Sequence, residues 1–392
     1  MKNYTLLLLL SILLLACSKS DSSAIPLGNQ KDTIKIVVAT PIVPETGGND
    51  TSKVVIPGVS RDKFTQPFAS NSIWNMPVGS NATYINASLY TNNTGLWTSY
   101  DTEIIRIIPA KSPLVRLYAP LSWGNRCGGQ NSPTGNAKDA LAINIPANWV
   151  FPDATKTDTP NNCAAFIQPD GQNIISIAPL ARCNPGGSVY GWYNGTQSIY
   201  GDGTRGSHGG SGLSAIGGSI RLGELTSADP IRHTLKINIW GQKYLYYRST
   251  DTTPGYQWPA NRADSYAASN YGGTNTSVEM GSLLAIPTSI TAASLGLATE
   301  PAKKLFWTLQ NYGAYVVDDT AWDVAAFCMA EGVPEEFKKK YSFSFETDNK
   351  ETAWFKDYYK IIKALSVITN NSANTIGGGG VPIQPLALPI GN

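Results

Sequence analysis

Apolar residues in this chain fall in short runs broken by Gly, Pro, Asn and Asp, and they alternate more often than they recur at helical spacing. Glu103 to Ile108, Val115 to Tyr118, Leu141 to Ile145, Ile174 to Ile177 and Ser282 to Ile286 each read as a strand. The clearest pattern runs from Ile231 to Trp240. Its odd positions are Ile, His, Leu, Ile, Ile and its even positions Arg, Thr, Lys, Asn, Trp, so one face is apolar and the other polar. Helical spacing appears in three places. Glu300 to Gln310 has Pro301 in its first turn and stops before Gly313; the others are Pro334 to Lys340 and a stretch around Trp354 to Thr369. Many strands, few helices and no strand–helix–strand alternation predict an all-β domain, a β-sandwich or jelly roll with a few peripheral helices. No internal repeat of propeller or solenoid length is present.

The two ends follow other rules. After Lys2 the run from Leu6 to Leu15 is too short to span a bilayer, and Leu14-Leu15-Ala16-Cys17 follows. A positive charge, a short apolar stretch and a small residue at the cut describe a secretory signal over residues 1–16. The ending resembles a lipobox, which makes Cys17 the expected lipidated first residue of the mature chain. Acyl chains there would hold the protein to a bacterial envelope membrane, expected to be the outer membrane, with the body outside the cytoplasm. Residues 17–60 read as a Ser-, Thr-, Pro- and Gly-rich tether, and 61–369 as one large β-rich domain. Residues 370–392, with the run Gly377 to Gly380, read as a Gly/Pro-rich arm.

Composition narrows the partners. Of 392 residues only 15% are charged and the net charge is +2, so the clustered positive charge that nucleic acid requires is missing. Tyr (19) and Trp (10), with abundant Asn, Ser and Thr, suit a surface that meets sugar, so the expected partner is an extracellular polysaccharide and the expected state a monomer. Cys127, Cys163, Cys183 and Cys328 remain in the body, and an even count in an exported chain favours disulfides. Cys163 and Cys183, flanking the turn signal Gln168-Pro169-Asp170-Gly171, are the expected pair. With no Cys-x-x-Cys pair and no nucleotide-loop ending, neither metal nor cofactor is expected.

The densest candidate chemistry lies in Gly201-Asp202-Gly203-Thr204-Arg205-Gly206-Ser207-His208-Gly209-Gly210-Ser211-Gly212. Its glycines allow close approach of a ligand around Asp202, Arg205 and His208, or equally make a self-satisfied structural loop. Arg221 and Glu224 follow, able to hold a sugar or simply to pair. His233 falls on the apolar side of its strand, as a buried imidazole or a tuned base. Lys236 and Trp240 lie on the opposite side, suited to a glycan or to water. Tyr315-Val316-Val317-Asp318-Asp319 reads as a strand ending in two carboxylates close to Trp322. Alternation implies that at most one of Asp318 and Asp319 shares a cleft.

Phe68-Ala69-Ser70-Asn71-Ser72-Ile73-Trp74-Asn75, the His208 loop, Ile231-Arg232-His233-Thr234-Leu235 and Tyr312-Gly313-Ala314-Tyr315-Val316-Val317-Asp318-Asp319 stand in an order that resembles a group of secreted bacterial and fungal proteins from polysaccharide-degrading secretomes. The resemblance covers about Phe64 to Asn371 and implies a role in glycan metabolism. A glycoside hydrolase would draw its carboxyl pair from Asp318, Asp319, Glu224 and Asp202. A polysaccharide lyase would use His208 or His233 as base, with Arg221 or Arg205 neutralising a uronate. A surface glycan-binding protein without catalysis would use the same aromatic and amide groups.

Overall fold

The computed structural model describes residues 60–92, 96–128, 141–156 and 159–391. The signal sequence, Cys17 and the tether up to residue 59 lie outside the described residues. Twelve strands join in one mixed sheet: β1 (Tyr84–Asn86), β2 (Thr98–Ile107), β3 (Leu114–Tyr118), β4 (Ala142–Asn144), β5 (Ala164–Ile167), β6 (Asn173–Ala181), β7 (Val189–Ser198), β8 (Leu235–Ile239), β9 (Leu283–Ala285), β10 (Ala314–Asp319), β11 (Ala325–Ala330) and β12 (Ser366–Ile368). Their order is β1-β12-β9-β10-β8-β11-β2-β5-β6-β7-β3-β4. The helices are α1 (Gly241–Tyr244), α2 (Ala267–Asn270), α3 (Glu300–Asn311), α4 (Val333–Tyr341) and α5 (Ala353–Ala364). The protein is thus mainly β with peripheral helices, as the strand signals predict. Parallel pairing of β10 with β8, β11 with β2, β2 with β5, and β3 with β7 is a feature that short strand signals do not encode.

Period two explains the layering. On β8, Leu235, Ile237 and Ile239 join Ala314 and Val316 of β10 and Phe327 and Met329 of β11 in one core, which α3, α4 and α5 cover with Leu305, Leu309, Phe337, Tyr358 and Ile362. The alternate positions of the same strands turn to the opposite side, where Tyr315, Val317 and Cys328 meet Trp74, Leu213, Ala215 and Ile216. That second side is where the polar residues of β2, β8 and β10 also point, and it is covered by the glycine-rich segment after β7.

Several expectations change here. The Ile231 to Trp240 strand is regular only over Leu235–Ile239, and every one of those residues is buried, because both of its faces are covered. Helix α5 ends at Ala364; Leu365 turns extended and the chain pairs as β12 instead of continuing to Thr369. The disulfide is Cys127–Cys183, with Cα atoms 6.2 Å apart, and Cys163 is a free, buried thiol. Antiparallel pairing of β5 with β6 sets Ala164 opposite Ile177 and carries Cys183 past the end of that ladder, away from Cys163. The arm beyond residue 370 lies on the body: Pro382 bridges Gly79 and Ile390 bridges Arg61.

Candidate functional site

The even-numbered side of β8 and the inward side of β2 would be an ordinary polar surface if left in water. Instead the glycine loop closes over them. Lys236 Nζ reaches Glu103 Oε1 at 3.0 Å and also donates to the loop carbonyls of Ser214 (3.0 Å) and Ala215 (2.7 Å). His208 comes from the loop to the same carboxylate, with Nε2 2.7 Å from Glu103 Oε1. Its Nε2 also stands 3.2 Å from the Cys328 thiol on β11. Glu103, Lys236 and the His208 side chain are fully buried. Burial would raise the Glu103 carboxyl, but the Lys236 ammonium and His208 overcome it and hold Glu103 below its ordinary range. Burial opposes the His208 cation, yet Glu103 wins and pushes the imidazole up.

The other ring nitrogen faces a second acid. His208 Nδ1 is 3.6 Å from Asp318 Oδ2 and has no hydrogen-bond partner. Asp318 Oδ1 accepts the Gly210 N–H at 2.9 Å, and its Oδ2 accepts from Asn161 Nδ2 at 2.9 Å. The same amide reaches Asp101 Oδ2 at 2.9 Å, which also takes Asn238 Nδ2 at 3.1 Å. Asp264 accepts the Tyr271 hydroxyl at 2.7 Å. A Cβ on Gly209 would stand 1.8 Å from Asp318 Oδ2, and one on Gly210 would stand 2.5 Å from Asp264 Oδ2. The two glycines are therefore required by two carboxyl groups that occupy the space of their missing side chains.

These acids differ in environment. Desolvation, with the neighbouring Asp264 charge second, pushes Asp318 up to about 8. Asp264 is also raised by burial, opposed by the Tyr271 hydroxyl and Arg262. Asp319 is raised to about 6 by burial, although the Gly241 N–H donates to it at 2.6 Å. Asp318 and Asp264 form a pair of like-charged neighbours that cannot both ionise cheaply, and the more deeply buried Asp318 keeps its proton.

The pair floors a cleft of about 780 Å³. Trp123, Trp192 and Trp240 wall it, together with Tyr266, Asn161, Gln242, Asn270 and Asp319. Trp123 and Trp192 are 43% and 44% exposed; the Arg126 guanidinium lies over the Trp123 ring, 5.2 Å from its centroid. The Cys127–Cys183 bridge anchors the loop that carries Trp123.

Of the residues singled out in the sequence, His208, Asp318, Asp319 and Trp240 gather here, His208 behind Asp318 and the others on the cleft wall. Both acids of the Asp318-Asp319 pair face the cleft, against simple alternation, because the β10–β8 register shifts between Val316 and Asp318. Lys236 is not a cleft residue but the buried partner of Glu103. His233, Glu224 and Arg221 lie elsewhere: His233 Nε2 is 3.1 Å from Glu224, and His233 and Arg221 line a separate space of about 10 Å³, room for a single water. Leu222 to Thr226 is a turn, following a bridge from Ile220 to Met329, and the Arg221 N–H donates to Glu224 Oε2 at 2.6 Å. Asp202 is exposed and caps its own loop through the Thr204 N–H at 3.0 Å; Arg205 is exposed, and Trp322, 49% exposed, sits beyond the cleft wall on the loop after β10.

Asp264, Asn161, Asp101, Glu103, Trp123 and Trp192 were not singled out in the sequence. Glu103 and Asp101 carried a signal, since i and i+2 on a strand share a face; Asp264 and Asn161 come from irregular segments and carried none. Two sets of buried groups, Glu103/Cys163/His208 and Asp101/His208/Cys328, bring metal-type ligand atoms within 4.8 Å of one another. The Lys236 ammonium already neutralises Glu103 there. No protein-family model, curated protein or solved structure matches this chain.

Proposed function

We propose that the protein is a glycoside hydrolase acting on an extracellular polysaccharide. The reading is carried by one observation: a buried acid, Asp318, beside a second carboxyl, Asp264, in a cleft walled by three tryptophans. Hydrolysis of a glycosidic bond needs one carboxyl to protonate the leaving oxygen and another to stabilise or attack the sugar carbon. Burial raises both acids, and because two neighbouring carboxyls cannot both ionise cheaply, one proton held at Asp318 leaves Asp264 as the carboxylate. Asp318 is the general acid. Asp264, partly buried and held by the Tyr271 hydroxyl, is the carboxylate, and Asp319 lies at the rim to orient sugar or water.

The cleft also suits an uncharged glycan. Its lining carries three carboxyl groups against one guanidinium, Arg262, which donates to the Gly209 carbonyl at 3.0 Å. A uronate or sulfated chain would be repelled. Gln242 and Asn270 make no side-chain hydrogen bond among the described residues and are available to sugar hydroxyls. Indole faces at Trp123 and Trp192 offer stacking platforms. A lyase reading lacks its base, because His208 is sealed behind Asp318 and His233 is outside the cleft. The lipobox-like Cys17 would anchor this activity at the cell envelope. Among the described residues no helix is long and apolar enough to cross a membrane.

The test is to incubate the body with neutral and acidic polysaccharides and follow new reducing ends and the ultraviolet absorbance of unsaturated sugars. Reducing ends from a neutral glycan, lost in Asp318→Asn, support hydrolysis. Absorbance would mean a lyase, and binding without either signal a non-catalytic glycan receptor.

A further inference from the structure

The buried groups behind Asp318 exceed what a structural ion pair needs. Lys236 and His208 share one oxygen of Glu103, whose Oε2 has no hydrogen-bond partner, and the chain of contacts ends at a ring nitrogen that also has none and is aimed at the acid. A buried donor or acceptor without a partner is costly, on the order of 1–3 kcal/mol. The Glu103 carboxylate accepts at Nε2, so that nitrogen carries a proton. Held also by Lys236, Glu103 remains an anion, which favours a second proton on the ring at Nδ1.

We propose that Lys236, Glu103 and His208 form a positioning relay for the acid: the relay keeps His208 an imidazolium whose Nδ1 proton becomes the hydrogen-bond donor to Asp318 once that acid has lost its own proton. The proposal rests on the hydrolase reading for its role in turnover, while the charge on His208 is independent of it. In the step itself the Asp318 proton moves to the glycosidic oxygen as the carbon–oxygen bond breaks, and the bonding electrons go to that oxygen. The carboxylate left on Asp318 is then opposed by Asp264 and Asp101. Gly210 N–H and Asn161 already donate to it, and closing the 3.6 Å gap to Nδ1 adds a charge-assisted donor. Water entering for the second half of the reaction returns the proton to Asp318, and His208 ends as it began. The relay never touches substrate. It acts on the acid alone.

The groups facing this pair from every packed element are Asp101 and Glu103 on β2, Lys236 on β8, Cys328 on β11, Cys163 before β5, and Asp264 and Tyr271 in the segment between β8 and β9. Both thiols are pushed well above their ordinary range by burial and remain neutral. Glu103 is thus the anion in direct contact with His208, and its loss should be felt first there.

The chain has 2 histidines, which makes the measurement direct. Nitrogen-15 resonances of the imidazoles are assigned by comparison with His233→Asn, and followed with pH in the whole protein without any ligand. His208 should show both nitrogens protonated through neutral pH and lose its second proton only in the alkaline range. Asp318→Asn should move the alkaline end of that titration downward, because above about pH 8 the Asp318 carboxylate, which favours the cation, is no longer there to form. A His208 that is neutral at pH 7, with Nδ1 bare, overturns the relay whatever the enzyme assay shows. In turnover, His208→Gln retains a nitrogen near the Nε2 position for Glu103 and deletes the Nδ1 donor. It should lower kcat by about 100-fold with little change in KM. It should also move the alkaline limb of the rate profile to higher pH. An unchanged profile and kcat in His208→Gln, with its thermal transition intact, would also overturn the relay. If the wild type cleaves no glycan, the hydrolase reading fails and the imidazole titration still decides the relay.

Discussion

His208 and His233 are both buried, both lie against a glutamate, and both are pushed up by it after burial has pulled the other way. Around His233 the network closes on itself. Nδ1 meets the Thr234 carbonyl at 3.0 Å, Nε2 meets Glu224 at 3.1 Å, and Glu224 accepts the Arg221 N–H. Around His208 the network is left open at Glu103 Oε2 and at Nδ1, and Nδ1 points at an acid that faces a cleft. On the proposed reading, the same residue type in the same kind of environment is structural where every polar atom has a partner, and positioned to act on an acid where an unpartnered ring nitrogen adjoins a cleft. Burial and a perturbed proton affinity do not separate the two; the unspent atom and the adjoining cleft do.

The comparison can be broken most decisively by activity. Asp318→Asn or Asp264→Asn should cut turnover of a cleaved glycan by about 1,000-fold or more, whereas Glu224→Gln and His233→Asn should leave it within about twofold. Comparable losses from both groups would erase the distinction. Next in size is stability. Lys236→Met removes the buried partner shared by Glu103 and His208 and should cost about 3–5 kcal/mol in chemical denaturation. Glu224→Gln, at a partly exposed carboxylate that retains hydrogen-bonding atoms, should cost well under that.

A smaller effect has opposite signs at the two places. Asp318 carries a proton to about pH 8 in the folded protein but loses it near 3.8 when unfolded, so its burial opposes folding increasingly as pH rises between those values. Asp318→Asn should then raise the melting temperature at pH 7 by about 2 °C while abolishing activity. At the closed site His233 is raised above 6.5 and Glu224 lowered below 4.5. His233 stabilises fully below 6.5 and loses this as pH climbs through its folded value. Glu224 stabilises above 4.5 and loses this as pH falls through its own. His233→Asn should therefore cost about 1 kcal/mol more at pH 5.5 than at pH 9. The smallest expected change is at the wall: Trp192→Ala should raise KM for an oligosaccharide several-fold with kcat nearly unchanged, as loss of a stacking face would.

How far this site was legible in the sequence follows from where each residue comes. His208 and Asp318 stand out because a rare imidazole in a glycine-rich run and paired acids after a Val-Val strand are unusual patterns. Alternation placed Lys236 on the polar side of β8, but periodicity tells only which residues share a face, not what will cover it. The covering segment is remote in sequence and reaches β8 through the tertiary fold, which turned a lysine expected to face sugar or water into a core ion pair. Glu103 lies in the run Glu103-Ile104-Ile105-Arg106-Ile107-Ile108, where it reads as a solvent-facing end. Asp264 sits in an irregular stretch rich in Ser, Tyr and Asn, where an acid is commonplace. The Cys127–Cys183 bridge was missed for a related reason: proximity there is set by the end of the β5–β6 ladder, not by the nearest cysteine in the chain.

Gly209 and Gly210 leave a record of their own. Each lacks a side chain because an acid stands where one would be, so neither can mutate freely while the carboxyls remain, and the constraint lifts if they go. Descendants that abandoned chemistry for mere sugar capture should thus lose the acids first and let bulkier residues drift into the loop afterwards. A homologue with Ala or Ser at these two places would be marked as inert before any assay were run.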